Sequence, residues 1–186
     1  MGKANPIDEY REIMGVTLQV VWETLLPNHS NEIRTTANEF FQQNLIENIN
    51  EGNGALYPNA EETLSFLKGN NYSIFIASNG LTAYLNAIVN YYNLDRWVTE
   101  TFSIQQINSQ NKSDLVNTIL KKYAIEKGAV IGDRLSDIHA AKTNGLLAIG
   151  CNFDFALEEE LKQADEIIDD LKQLKAIVPT LFSTHK

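Results

Sequence analysis

With 186 residues, 44% hydrophobic and 21% charged, the chain has the composition of an ordinary globular protein, long enough to bury a core without disulfide staples. A formal net charge of -9 argues against nucleic acid or an anionic membrane as partner, because either polyanion is repelled at long range. The one cysteine, Cys151, excludes an internal disulfide. No apolar run is long enough to cross a bilayer and the first ten residues carry no hydrophobic leader, so a cytoplasmic chain is expected. Gly2 does not open a myristoylation signal, since Pro6 follows where that pattern takes Ser or Thr.

In chain order, the first fifty residues read as helical. Ile13, Met14, Val16, Leu18, Val20 and Val21 form an apolar stretch that Pro27 breaks. Residues 33–49 place Ala37, Phe40, Phe41, Leu45, Ile46 and Ile49 at helical spacing behind a capping Ser30. Residues 16–22 are rich in β-branched side chains, and propensity alone would also allow a strand there. The turn-rich residues 51–58 mark a boundary between two lobes. Beyond it come a helix near 59–68, an apolar run at 72–77, a helix near 82–92 and a weak strand at 102–104. A helix at 113–123, a strand at 129–131, a helix at 137–143 and a strand at 146–149 follow. A helix pair is expected over 158–177. Short apolar strands alternating with amphipathic helices predict an α/β fold: a parallel sheet with helices on both faces and ligands at the carboxyl ends of its strands.

Three groups of residues sit where such chemistry would occur. The apolar strand ending at Gly132 delivers Asp133, and Asp137 follows four residues later at a helix start. Carboxylates at a strand tip are costly unless they hold a cation, a proton or a helix N-terminus. A pair with open positions suits a hard ion such as Mg²⁺, which keeps several waters. The plain alternative is that Asp137 caps its helix while Asp133 shapes a turn. After the strand at 72–77 stand Ser78, Asn79 and Gly80, a hydroxyl followed by backbone N–H groups able to wrap an anion, or simply a turn. Lys112 lies beside a helix opening, placed to meet a phosphate as a point charge, though most lysines in such places are solvated.

In this order the three groups resemble the motifs of the haloacid dehalogenase superfamily, in particular the phosphatases near phosphoglycolate phosphatase and β-phosphoglucomutase. The resemblance implies a Rossmann-like core over residues 53–186 and a small helical cap over 1–52. It also implies Mg²⁺-dependent hydrolysis of a small phosphorylated metabolite. Ser78, Asn79, Gly80 and Lys112 would hold the phosphate, Asp133 and Asp137 would serve the metal, and Ser78, Lys112 and Asp137 would make up the catalytic residues present. Tyr57 and Pro58 resemble the point where the chain returns from cap to core. The tail, with Asn152 to Phe155 and Ala164 to Ile168, follows the family's closing pattern.

One part is not found. The family's first strand ends in Asp-x-Asp-x-Thr, whose first Asp attacks phosphorus, and no Asp-x-Asp occurs in this sequence. Asp8 stands in a polar helix start with no apolar strand before it, and Asp154 follows the last core strand with no partner Asp or Thr. By resemblance the missing strand lies between the strands ending at Ser78 and Asp133, so two apolar edges would face a gap. Three explanations are open: a truncated form of a longer phosphatase; a chain whose sheet closes up or borrows a strand, leaving a phosphate-binding or assembly protein; or residues 16–22 entering the gap as a strand. The expected activity of this chain is close to nil. His139 reads as a helix-surface residue, Trp22 and Trp97 as core aromatics, and Cys151 as a small buried hydrophobe.

Overall fold

The computed structural model describes residue 13 and residues 15–182; Gly2, the helix start at Asp8 and Met14 lie outside the described residues. The N-terminal part is helical. Helix α1 (Leu18–Leu25) and helix α2 (Asn31–Asn50) pack through Trp22, whose ring meets Phe41 edge-on at 5.8 Å and whose Nε1–H donates to Asn38. Residues 18–22 are therefore helix, which rules out their filling the gap as a strand. An amphipathic turn that docks one aromatic outweighs the strand preference of Val20 and Val21. The helix starts later than the apolar stretch suggested, with Ile13 in a turn and Thr17 as N-cap. The side chain of Ser30 accepts from the Ile33 N–H at the start of α2, the capping contact its position implied.

The remainder alternates. Helix α3 (Ala60–Gly69), strand β1 (Phe75–Ser78), helix α4 (Thr82–Tyr92) and strand β2 (Glu100–Ser103) come first. Helix α5 (Lys112–Tyr123), strand β3 (Ala129–Gly132), helix α6 (Leu135–Thr143), strand β4 (Leu147–Cys151), helix α7 (Glu158–Leu161), strand β5 (Glu166–Ile168) and helix α8 (Leu174–Phe182) follow. The region 158–177 is thus not a helix pair. Strand β5 interrupts it, exposing Glu166 and Ile167 while burying Ile168 completely. Three residues with one buried side chain carry too little periodicity to announce a strand.

Among the described residues all pairings are parallel, as the alternation predicts, but they form two sheets rather than one. β1 pairs with β2, and β3–β4–β5 run in that order. Among the described residues no backbone hydrogen bond joins β1 to β3. The sheets are held by helices that reach across the break. Val116 of α5 and Ile138, Ala140 and Ala141 of α6 form a buried cluster that takes in Ala77 of β1 and Val130 of β3. On the other side Leu67 of α3 and Leu174 and Val178 of α8 pack with Ile149, Cys151 and Ile168, against which lie Ile74 and Ala129. No helix of the described residues is long and apolar enough to cross a membrane.

Candidate active site

The loops at the carboxyl ends of β1 and β3 converge on one point. The Asn79 side chain donates to the Gly15 carbonyl at 2.8 Å, and a Cβ built on Gly15 would lie 2.6 Å from Cγ of Arg134. Gly15, at φ +85°, thus threads between the two strand tips where a side chain has no room. The tips of β1 and β3 therefore share one end of the molecule despite the break between their strands.

The centre is an ion pair. Lys112, the first residue of α5, puts its Nζ 2.5 Å from Oδ1 of Asp137, with side-chain exposures of only 13% and 9%. The other oxygen of Asp137 accepts the Arg134 backbone N–H at 3.2 Å, so Asp137 does cap its own helix, and both its oxygens are engaged. The chain reaches this geometry because position 132 is glycine: a Cβ there would fall 2.2 Å from Cγ of Asp137. Asp133 makes no ion pair among the described residues. Burial, with the charge of Asp137 adding to it, pushes its carboxyl above the usual range, against the weaker pull of Arg134 and Lys112.

The third group is held from the neighbouring strand. The Ser78 hydroxyl accepts from the Gly80 N–H at 3.0 Å, and the Gly80 carbonyl accepts from the hydroxyl of Ser103, a buried residue closing β2. The Gln105 side chain accepts from the Thr82 N–H, fixing the start of α4. Asn79 Oδ1 is buried with no hydrogen-bond partner among the described residues. The structure thus places Lys112, Asp137 and Asp133 in one electrostatic group, and Ser78, Asn79 and Gly80 on the loop that Gly15 ties to it.

Sequence reasoning missed the brace behind this group. Arg134 is buried, and its guanidinium donates to both oxygens of Glu160, through Nε at 3.0 Å and Nη2 at 3.3 Å, while Glu160 also accepts the Leu135 N–H. Burial works against the charge on Glu160, but these donors outweigh it and hold its carboxyl below the usual range. Glu160 sits in a run of three glutamates, which by itself reads as a solvated surface. Tyr57 stacks on Phe153 at 4.6 Å, and its phenol is pushed up by burial and then by Asp133 and Asp154. His139 is exposed, and Cys151 is buried with its thiol pushed up to about 12 by that burial. A cavity of about 450 Å³ opens beside the Asn79 loop, lined by Thr17, Trp22, Arg34, Asn38 and Gln105 among others. Lys112 and Asp133 do not line it. Among the described residues no group of three or more His, Cys, Asp or Glu side chains is placed to hold a metal ion.

Residues 2–151 match the family model of the haloacid dehalogenase-like hydrolases. The chain belongs to that family. Among curated relatives of this haloacid dehalogenase-like chain, a 5'-nucleotidase of Pseudomonas aeruginosa is 25% identical over 63% of the chain and 55% of its own length. A phosphoglycolate phosphatase of Haemophilus influenzae is 24% identical over 66% of the chain and 57% of its own length. The chain therefore spans a little over half the length of these two. Its fold is similar to a predicted phosphatase from Clostridium acetobutylicum, with TM-score 0.81 and 21% identity over 97% of this chain and 85% of that one. It is also similar to CbbY from Rhodobacter sphaeroides, solved with xylulose-1,5-bisphosphate, with TM-score 0.79 and 17% identity over 90% of this chain and 79% of that one. The chain is thus a haloacid dehalogenase-like hydrolase with distant relatives among the phosphoglycolate phosphatases.

Proposed function

We propose that this chain carries the phosphate-holding and cation-holding parts of a phosphomonoesterase for a small phosphorylated metabolite, without the group that attacks phosphorus. The observation that carries this reading is the buried Lys112–Asp137 pair beside an Asp133 carboxyl that makes no ion pair among the described residues. In the proposal residues 53–186 are a Rossmann-like core and residues 1–52 a helical cap. Lys112 offsets phosphate charge, and the Ser78 hydroxyl with the Asn79 and Gly80 backbone holds phosphate oxygens. Asp137 is a positioning residue: with both oxygens engaged, it fixes Lys112 rather than binding metal. The cavity at Trp22, Arg34 and Asn38 takes the remainder of the ester. The relatives support a small phosphate ester as ligand, since those named act on or were solved with such compounds.

The residues fit Mg²⁺ through Asp133 alone. A carboxylate whose charge is penalised by burial and by a neighbouring carboxylate is relieved by a divalent ion, and Mg²⁺ needs only one or two protein carboxylates beside its waters. Bound there, the ion would neutralise phosphate charge. No Asp-x-Asp occurs in the sequence, so in this reading covalent phosphoryl transfer lacks its usual nucleophile. The absence of that motif also favours a second reading, a protein that binds phosphate without turning it over.

Both readings predict phosphate binding, and calorimetric titration with inorganic phosphate in Mg²⁺ tests it. The expected result is saturable binding that Lys112→Met weakens at least about tenfold, the scale of one lost charge-assisted contact. Binding that is absent, or unchanged by Lys112→Met, contradicts the assignment.

A further inference from the structure

We propose that the cavity beside the Asn79 loop selects a phosphate ester whose organic part is uncharged and rich in hydroxyls, and disfavours one carrying a carboxylate or a second phosphate. The inference deepens the phosphate reading and rests on it, since Asn79 belongs both to the loop assigned to phosphate oxygens and to the lining of the cavity. At about 450 Å³ the cavity lies within the range of small-molecule sites, about 300–1,000 Å³. A two-carbon acid would leave most of it empty.

Among the described residues its lining holds one cation, Arg34, and that cation is committed elsewhere. Nε of Arg34 donates to the Leu26 carbonyl at 3.1 Å, Nη2 to the Pro27 carbonyl at 3.0 Å and Nη1 to the Asn31 side chain at 3.2 Å. The guanidinium fork thus pins the connection between α1 and α2, and a carboxylate entering the cavity would have to compete with those partners. Glu23, also in the lining, adds a negative charge, and the whole chain carries -9. An anion placed there would lose water without gaining a free countercharge, which is costly.

The neutral lining suits hydroxyls instead. The Asn38 side-chain oxygen accepts from Trp22 Nε1–H at 2.9 Å, and the Gln105 side-chain oxygen accepts from the Thr82 N–H at 2.8 Å. Each contact leaves the NH₂ end of the amide without a partner among the described residues. The Gln19 NH₂ group donates to Glu23 at 3.0 Å, which leaves the Gln19 side-chain oxygen as an acceptor. The lining therefore offers both donors and acceptors. A hydroxyl donates and accepts and can satisfy both, whereas a carboxylate only accepts and would be set against the oxygens of Gln19 and Glu23. Trp22, Leu81 and Ile104 supply apolar surface for the carbon atoms between the hydroxyls.

The test is calorimetric titration in Mg²⁺ with three probes: inorganic phosphate, ribitol 5-phosphate, and 2-phosphoglycolate, the ester for which one relative is named. Ribitol 5-phosphate should bind at least about tenfold more tightly than inorganic phosphate, the gain expected from two net hydrogen bonds. 2-Phosphoglycolate should bind no more tightly than inorganic phosphate. Asn38→Leu should narrow the ribitol 5-phosphate advantage at least about threefold; Gln105→Leu, at an exposed position, serves if loss of the Trp22 contact unfolds the first variant. Glu23→Lys, also at an exposed position, exchanges the anion for a cation and should make 2-phosphoglycolate bind several-fold more tightly than inorganic phosphate, which a merely structural lining would not produce. If inorganic phosphate binds but ribitol 5-phosphate gains nothing over it, or 2-phosphoglycolate binds the parent chain as tightly as ribitol 5-phosphate, the selectivity is overturned and the phosphate reading stands. Saturable binding of ribitol 5-phosphate without binding of inorganic phosphate supports the cavity and counts against the phosphate loop. No binding of any probe contradicts both.

Discussion

Asp133 directly follows β3 and Asp137 stands in the first turn of α6, and their surroundings differ sharply. Asp137 has a lysine on one oxygen and a backbone N–H on the other, so its charge is held by local partners. Asp133 is desolvated beside that charge and its pKa is raised. The sign of the consequence is fixed by linkage. A carboxyl with a folded pKa above its unfolded value binds its proton more tightly in the native state, so its contribution to stability falls as pH rises through that window and stays unfavourable at neutral pH. Asp133→Asn should therefore raise the melting temperature at pH 7 and lessen the gap between pH 7 and mildly acidic values, both read by thermal denaturation. It should also remove any stabilisation by Mg²⁺. A variant less stable than the parent at pH 7 would mean that Asp133 is already compensated.

Individual elements show what sequence patterns convey and what they do not. The strands ending in Ser78 and Gly132 and the helix opening at Lys112 were legible because each couples an apolar run or a helix start to a polar residue, and the loops fold where those signals stand. Residues 16–22 were ambiguous, and from Leu18 on they are helix, docked by the contact between Trp22 and Phe41. Strand β5 was hidden because only Ile168 of its three residues is buried. The Arg134–Glu160 brace was invisible, since its partners lie 26 positions apart and nothing local distinguishes Glu160 from Glu158 or Glu159. Its removal should be costly. Glu160→Ala takes away two guanidinium contacts and the acceptor of the Leu135 N–H, and a buried pair broken on one side costs about 3 kcal/mol. Urea denaturation checks this: a loss near that size is expected, and less than about 0.5 kcal/mol would place the pair among solvated surface ion pairs.

At the scale of the whole molecule the two sheets are the main departure from the pattern the sequence suggests. Alternating strands and helices predict one continuous parallel sheet, yet among the described residues β1 and β3 are bridged by helices on either side and by Gly15 at their tips. Motif spacing reported which strands exist and where their loops end. It carried no direct information on which strands touch, because pairing depends on contacts between segments far apart in the chain. The loops that follow β1 and β3 lie on either side of this break, tied through Gly15, and no Asp-x-Asp occurs in the sequence. Turnover of p-nitrophenyl phosphate by the purified chain in Mg²⁺ is the most direct measurement. The account predicts a rate indistinguishable from that of Asp133→Ala; rapid hydrolysis that Asp133→Ala abolishes would contradict it, since some carboxylate of this chain would then be attacking phosphorus.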